Sequence, residues 1–506
     1  MKPSLQIFFK RLAWFILLTA LFALVYNQAP LYTSNQNQYF LHGYAQADYG
    51  TLAEDWLANT ADPTPVFSLL VAATLRVFHS PIPFLVYYAA LMGVYLFSLF
   101  GILERFFPLR ASRLVSVAFV ALTFLLHSTL LRYLLMRLFA GDWAYLFEGG
   151  VAGQRLLGPV FQPSTFGVFL LFSLHLYLKD KKSLAILSAV LAATIHPTYL
   201  LSAAVLTFSY LVDTLRQEKQ FWKAARLAAL ALAAVAPILV YTYVNFGGSD
   251  PVLAAEARQI LVHIRIPNHA VVSEWFDATV VLKLLFLGLA LFLLRRSRMF
   301  LILLIPAVVA IGLTILQVLT GSDMLALIFP WRLSTWLVPL SVGSIAAGLV
   351  TRLVSRIPLR RERAVETACI ALVFLLAAAG VTRTVLEQAE SDTMLSRPVQ
   401  AYVASHRQAG EVYLVPSKMY DFRLEAGAPV YADFLSIPYR DEDVIAWNYR
   451  FGMANYFYQR VSCEKLEELK EVGVTHAVIP TDFPLECPQL VEVYRDSAYG
   501  LYELTP

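Results

Sequence analysis

Charge is scarce in this chain. Lys, Arg, Asp and Glu make up 15% of its 506 residues, and cysteine occurs only three times. So little charge, beside 58% hydrophobic residues and a mean hydropathy of +0.60, excludes an ordinary water-soluble domain. Three cysteines exclude a disulfide-built scaffold. The patterns C-x-x-C, H-E-x-x-H, G-x-x-x-x-G-K-[ST] and G-x-G-x-x-G are all missing, which removes the usual signatures of zinc, nucleotide-driven transport and dinucleotide chemistry. Repeats and low-complexity tracts are missing too. The formal charge of +4 does not point to nucleic acid, because the basic residues sit in short clusters beside apolar runs.

One regional absence says more. From Asn27 to Pro65 there is no Lys or Arg, while Asp48, Glu54, Asp55 and Asp62 occur among Tyr, Asn, Gln and His. Elsewhere, every second connection between apolar runs is crowded with Lys and Arg. A bilayer core needs about 20 apolar residues per helical crossing, and short basic loops stay cytoplasmic. The alternation therefore predicts a topology.

Lys2, Lys10 and Arg11 lie inside, and Leu12 to Tyr26 is an uncleaved first crossing. The stretch 27–83 is the first outer loop. Within it, Val66 to Phe78 is too short to span and carries Arg76, so it is expected to lie at the outer surface. The further crossings run from Phe84 to Leu103, Leu114 to Leu131, Phe166 to Leu178, Leu184 to Ile195, Thr198 to Leu211, Leu227 to Val244, Val281 to Leu294, Phe300 to Leu319, Leu333 to Val350 and Val365 to Val381. The expected fold is an all-α polytopic bundle of about 11 transmembrane helices over residues 1–382, with a cytoplasmic N-terminus. It is followed by a small extracytoplasmic α/β domain over 383–506.

In that tail, strands are expected at Val412 to Val415, Val430 to Phe434, Ala477 to Ile479, Leu490 to Val493 and Leu501 to Leu504. Helices are expected at Asp441 to Tyr449 and Glu464 to Val472. Cys463 and Cys487 either pair or stay free, and Cys369, inside the last crossing, is a packing residue.

Candidate chemistry gathers in the outer connections. The first loop holds Asn35-Gln36-Asn37-Gln38-Tyr39-Phe40-Leu41-His42-Gly43, then Asp48 and Glu54-Asp55-Trp56. Aromatic faces pack on sugar C–H faces, amides and acids bind hydroxyls, and an ionised carboxylate can take a proton from an attacking hydroxyl. The competing reading is helix caps and a solvated acidic face. A second set is His263-Ile264-Arg265-Ile266-Pro267-Asn268-His269, and a third is Phe329-Pro330-Trp331-Arg332. A guanidinium fork suits phosphate, so Arg265 and Arg332 are candidates to bind one, against interfacial snorkelling or a plain surface role. The long connection bearing Arg137, Asp142, Trp143, Glu148, Arg155 and Gln162 reads as an ordered or re-entrant loop. His196, before Pro197, reads as a cap or hydrogen-bonding residue.

The order of these parts resembles the GT-C superfamily of polytopic membrane glycosyltransferases. The shared features are a cytoplasmic start, an acidic first outer loop ending in the surface helix Pro65-Val66-Phe67-Ser68-Leu69-Leu70, a basic turn after the next crossing, a long later outer loop and a soluble outer C-terminal domain. The resemblance implies a bacterial inner-membrane protein that moves a sugar from a polyprenyl-phosphate donor to an envelope glycan, lipid or protein acceptor. It implies a catalytic carboxylate in the first loop, with Asp48 first and Asp55 second. His42, Glu54, Arg265, His269 and Arg332 would be substrate-binding residues. Such enzymes commonly carry an acid soon after the first helix, where this chain has Asn35-Gln36-Asn37, which moves the base to Asp48, Asp55 or His42. No cofactor is required; paired carboxylates could hold a divalent metal. A non-catalytic assembly factor or transporter in polysaccharide export is the alternative, disfavoured by the lack of duplicated halves and of ionisable residues at midplane.

Overall fold

A computed structural model describes residues 3–139, 142–248, 250–460, 462–483 and 487–505. The chain forms two compact units. One contains residues 1–28, 84–240 and 266–385, and the other 29–83, 241–265 and 386–506.

The first unit is helical. Seven helices among the described residues are long and apolar enough to cross a bilayer: Phe8–Tyr26, Pro83–Leu103, Pro197–Glu218, Phe221–Phe246, Met299–Thr320, Asp323–Val354 and Leu359–Asp392. This makes the chain a multi-pass membrane protein. The remaining expected crossings take other forms. Arg113–Leu126 and Thr129–Leu138 form one pair bent by 45°, and Pro163–Leu178, Lys182–Ile195 and Ala278–Leu294 are shorter than a full span. The bend has a local cause. The Ser128 hydroxyl accepts the Leu131 N–H at 3.1 Å and starts a new helix, while His127 Nδ1 pairs at 2.8 Å with the Thr123 carbonyl, which also accepts the His127 backbone N–H.

Hydrocarbon offers no hydrogen bonds, so hydroxyls in the bundle bond to the carbonyl one turn back. Ser98, Ser209, Thr314, Ser341 and Ser344 all do so, at 2.6–2.9 Å. The apolar side chains left outside the bundle, such as Leu285, Phe292, Val308, Leu319 and Phe374, need a lipid solvent. Among the turns expected inside, Arg298 Nη2 meets the buried Asp213 carboxylate at 2.8 Å, and Glu218 pairs with Lys182 and Lys223.

The second unit joins the first loop and the 241–265 segment to the C-terminal residues. The sequence boundary at 382/383 therefore lies within three residues of the structural one, but loop 29–83 clusters with the tail rather than with the helices. Helix Pro65–Phe78 has 14 residues, about 21 Å, against a hydrocarbon core of about 30 Å. Four strands form one sheet: β1 Tyr413–Leu414, β2 His476–Pro480, β3 Leu490–Arg495 and β4 Tyr499–Leu504. Their order is β1-β2-β4-β3, with β1 parallel to β2 and the other pairs antiparallel. Helices Asp441–Arg460 and Cys463–Glu471 contribute Phe457, Leu466 and Leu469 to a core with Leu414, Ala477 and Ile479. The expected strand at Val430 to Phe434 is reduced to a single bridge between Val430 and Tyr413, because the groups beyond it are engaged elsewhere. Cys463 and Cys487 form a disulfide, with Cα atoms 5.5 Å apart.

Thiol labelling in denaturant without reductant is expected to modify Cys369 alone, and all three cysteines after reduction. Three labelled thiols in the unreduced chain would show that the disulfide does not form in the cell.

Candidate functional site

The first-loop candidates lie in the second unit, and their positions separate them. Asp55 is 0% exposed, and each of its oxygens is used twice. Oδ1 accepts the N–H groups of Leu57 and Ala58 at 2.8 and 3.3 Å; Oδ2 accepts Arg423 Nε at 2.8 Å and the Val430 N–H at 2.9 Å. Arg423 also pairs with Asp433 and donates to the Val430 carbonyl at 2.8 Å. Two carboxylates hold the guanidinium charged against the desolvation of burial. Both oxygens of the Asp55 carboxylate are thus engaged by the chain itself, and in this structure Asp55 clamps Arg423 and the Val430 backbone.

Its neighbours are bound into the same fold. Glu54 accepts the Gly410 N–H at 2.7 Å, and the buried His42 pairs through Nδ1 with the Ala58 carbonyl at 3.1 Å. Gln38 takes both the N–H and the carbonyl of Ile437, at 2.5 and 2.9 Å. Arg265 donates to the Leu435 carbonyl at 2.5 Å and lies 5.3 Å from the Phe434 ring centre, with its Nε buried and without a hydrogen bond. Asp48 alone among the predicted catalytic acids is exposed, at a left-handed turn with φ 55°.

His269 and Arg332 lie in the first unit, and there the structure assembles a basic set around the loop 142–163. The loop is pinned by its backbone. Ser334 Oγ accepts the Val151 N–H at 2.7 Å, Lys283 Nζ donates to the Gly150 carbonyl at 2.8 Å, and His269 Nδ1 meets the Ala152 carbonyl at 2.6 Å. A side chain at position 150 would come within 2.9 Å of the Ser334 and Thr335 backbone, so only glycine permits this approach. Ala152 and Gly153 follow at φ 55° and 64°, a strained turn of the kind found at functional sites.

Arg332 is aimed by a second such turn, where Phe329 at φ 52° precedes Pro330. Its Nη2 meets His196 Nε2 at 3.1 Å and Thr198 Oγ1 at 2.9 Å, and its guanidinium carbon lies 5.2 Å from the Tyr199 ring centre. Its Nε is buried with no hydrogen bond. Burial and the neighbouring guanidinium hold His196 well below the usual imidazole range, so a neutral ring accepts from Arg332. Burial also lowers His269, and the positive charges of Arg332 and Arg155 add to this. Among the described residues, Arg332, Arg155 and Lys283 make no ion pair with a carboxylate; Arg155 instead stacks 3.8 Å from the Tyr145 ring centre. Their hydrogen-bond partners are neutral, while Asp142 and Asp277 bear on Lys283 and Glu148 bears on Arg155, so the positive field here is partly compensated.

The same loop carries an acid. Glu148 is buried, with Oε1 3.4 Å from Arg132 Nη1 and Oε2 3.9 Å from His127 Nε2. Oε2 has no hydrogen bond. Burial pushes the carboxyl up to about 7, against the pull of Arg132 and Arg155. Arg132 lies 4.1 Å from the Tyr26 ring centre and donates to the Tyr26 carbonyl. Next to His269, a gap with room for about one water is lined by Gln154, Trp275, Gln317 and Trp331. Among the described residues, no three His, Cys, Asp or Glu side chains gather as a metal site requires.

The sequence named Arg332 and His269 as substrate-binding candidates, Glu148 and Arg155 only as members of an ordered loop and His196 as a cap or hydrogen-bonding residue, and it did not single out Lys283 or Arg132. Lys283 had a readable signal, as the single charge inside an apolar helix.

A family described as a domain of unknown function, DUF6798, matches residues 396–454, the stretch that holds Arg423, Asp433 and Trp447. No curated protein matches the chain. Among solved structures, the chain is similar to the apo crystal structure of ArnT from Cupriavidus metallidurans, at 14% identity and a TM-score of 0.46, covering 98% of each chain.

Two outcomes follow from these geometries. Asp55→Ala leaves Arg423 half-neutralised in a dry interior and is expected to destabilise the chain by about 3–5 kcal/mol, read as a lower melting temperature in detergent; unchanged melting would remove the clamp. For Glu148, whose folded carboxyl binds its proton more tightly than the unfolded one, stability is expected to fall as pH rises from about 4.5 to about 7. Glu148→Gln should flatten that slope, and an identical slope in the variant would refute the assignment.

Proposed function

We propose that the chain is a GT-C-type membrane glycosyltransferase that takes a polyprenyl-phosphate sugar as donor, from a bacterial inner membrane, and acts on the extracytoplasmic side. The reading is carried by one observation: Lys283 and His269 bind the loop that carries Arg155, the charge of Arg332 is felt at His269, and among the described residues none of the three cations is paired with a carboxylate at ion-pair distance. The order of crossings and loops, which resembles that superfamily, supports the donor class. The Cys463–Cys487 disulfide supports an outer, oxidising location for the C-terminal residues.

In this reading Arg332, with its unengaged Nε, and Lys283 hold the donor phosphate. An acceptor hydroxyl attacks the anomeric carbon as the sugar–phosphate bond breaks, and the phosphate leaves with the bonding electrons. The proton passes to a carboxylate. The support for Glu148 in this role is a carboxyl that titrates near neutrality, the range in which a general base works best, and an Oε2 that makes no well-formed hydrogen bond beside the Tyr26 hydroxyl. Phosphate needs no separate general acid, and the cations stabilise the charge that develops on it. Asp48, exposed and in the other unit, is the competing base. The acceptor is a glycan, lipid or protein of the envelope.

Donor binding and transfer separate these roles. Arg332→Ala and Lys283→Met are expected to weaken binding of a polyprenyl phosphate to the protein in nanodiscs by about tenfold or more. Glu148→Gln should keep that binding and lose transfer from a labelled donor in membranes that contain the native acceptors. Wild-type binding in both cation variants would end the proposal. Loss of transfer in Asp48→Asn with full transfer in Glu148→Gln would return the base to the first loop.

A further inference from the structure

The amide run of the first loop leaves one group unused. Gln36 accepts the Tyr32 N–H at 2.8 Å, and Gln38 clamps Ile437. Asn37, 2% exposed, donates from Nδ2 to the Tyr32 and Ser34 carbonyls at 2.6 and 3.2 Å, which sets the orientation of its amide. Its Oδ1 is buried with no hydrogen bond. An acceptor left this way costs more than a formed hydrogen bond returns, and it belongs to a strained segment, with Tyr32 at φ 61° and Ser34 at φ 53°. The Tyr32 hydroxyl, 2.9 Å from that of Tyr44, holds the turn in place.

Asn37 lines a cleft of about 420 Å³ inside the second unit, a size that suits a small ligand. Tyr32, Arg397, Lys418, Tyr420 and Tyr499 share its wall. Charge decides what fits. Arg397 is already neutralised by Asp421 and Glu425 and bonded to Ser391 Oγ at 2.9 Å, so it offers no anion site. A cation would meet Lys418, and an anion would meet the Asn37 acceptor. With the Arg397 ion pair closed on itself, the group left to satisfy is Oδ1, which takes a neutral hydroxyl donor, and Tyr420, Tyr499, Met394 and Met419 offer surfaces for C–H faces.

We infer that this cleft is a saccharide-binding site for a neutral, hydroxyl-rich sugar unit, one of whose hydroxyls donates to Asn37 Oδ1. The inference rests on the second unit alone and stands apart from the donor chemistry of the first.

Saturation-transfer NMR tests it on the full chain in nanodiscs prepared without glycoside detergent, with methyl α-glucoside, methyl α-mannoside and methyl N-acetyl-β-glucosaminide as probes. At least one probe is expected to show saturation of its ring protons, weakened about fivefold or more in Asn37→Leu and in Tyr420→Ala. If Asn37→Leu melts below the wild type, Tyr420→Ala decides, since that ring is only part-buried and holds no core. Arg332→Ala and Glu148→Gln should bind the glycosides as the wild type does, so loss of donor binding leaves this result untouched. No saturation with any probe, equal binding in Tyr420→Ala, or equal saturation of free glycerol would overturn the site.

Discussion

A polar group withdrawn from water must find its partner within the chain, and this constraint governs both units. Leaving a buried donor or acceptor unmet costs more than a formed hydrogen bond returns. The helices of the first unit satisfy it locally, with Ser and Thr hydroxyls turned back on their own carbonyls. The second unit satisfies it over long sequence distances. Arg423 lies between Asp55 and Asp433, and Gln38 reads both polar groups of Ile437. These bonds make a loop near the N-terminus and a segment four hundred residues later into one body.

Against so consistent a rule, the exceptions are informative. Buried side-chain atoms without a hydrogen bond occur in both units, and Arg332 Nε, Glu148 Oε2, Arg265 Nε and Asn37 Oδ1 are among them. Glu148 lies in the pinned loop 142–163, whose carbonyls already occupy Lys283 and His269, and Arg332 lies two residues before Ser334, which anchors that loop. The backbone strain at Ala152, Phe329, Tyr32 and Ser34 falls on the same segments. Strain and unmet polarity coincide where a ligand would relieve the second and exploit the rigidity that comes with the first.

The Asp55 result shows why an acid in a suggestive loop is a weak guide to chemistry. Asp48 and Asp55 stand seven positions apart in the same polar stretch. One is exposed, and the other is completely enclosed by groups donated from residues 57, 58, 423 and 430. Glu148 lies in a loop noted only for its length, yet burial beside Arg132 gives it the carboxyl that titrates near neutrality.

Composition and the periodic spacing of apolar runs determined that the chain is a mostly helical, multi-pass membrane protein with a small sheet in its C-terminal part. Those properties follow from the length of hydrocarbon to be crossed and from short-range backbone preferences, which a linear string records. The strand expected at Val430 and the roles of Asp55, Glu148, Lys283 and Asn37 were decided only by tertiary structure. Whether a polar side chain acts or merely braces depends on which distant groups reach it first and how much water they displace. Arg423 reached Asp55 with a full ion pair, whereas Glu148 stays buried beside Arg132 with its carboxyl pushed up to about 7.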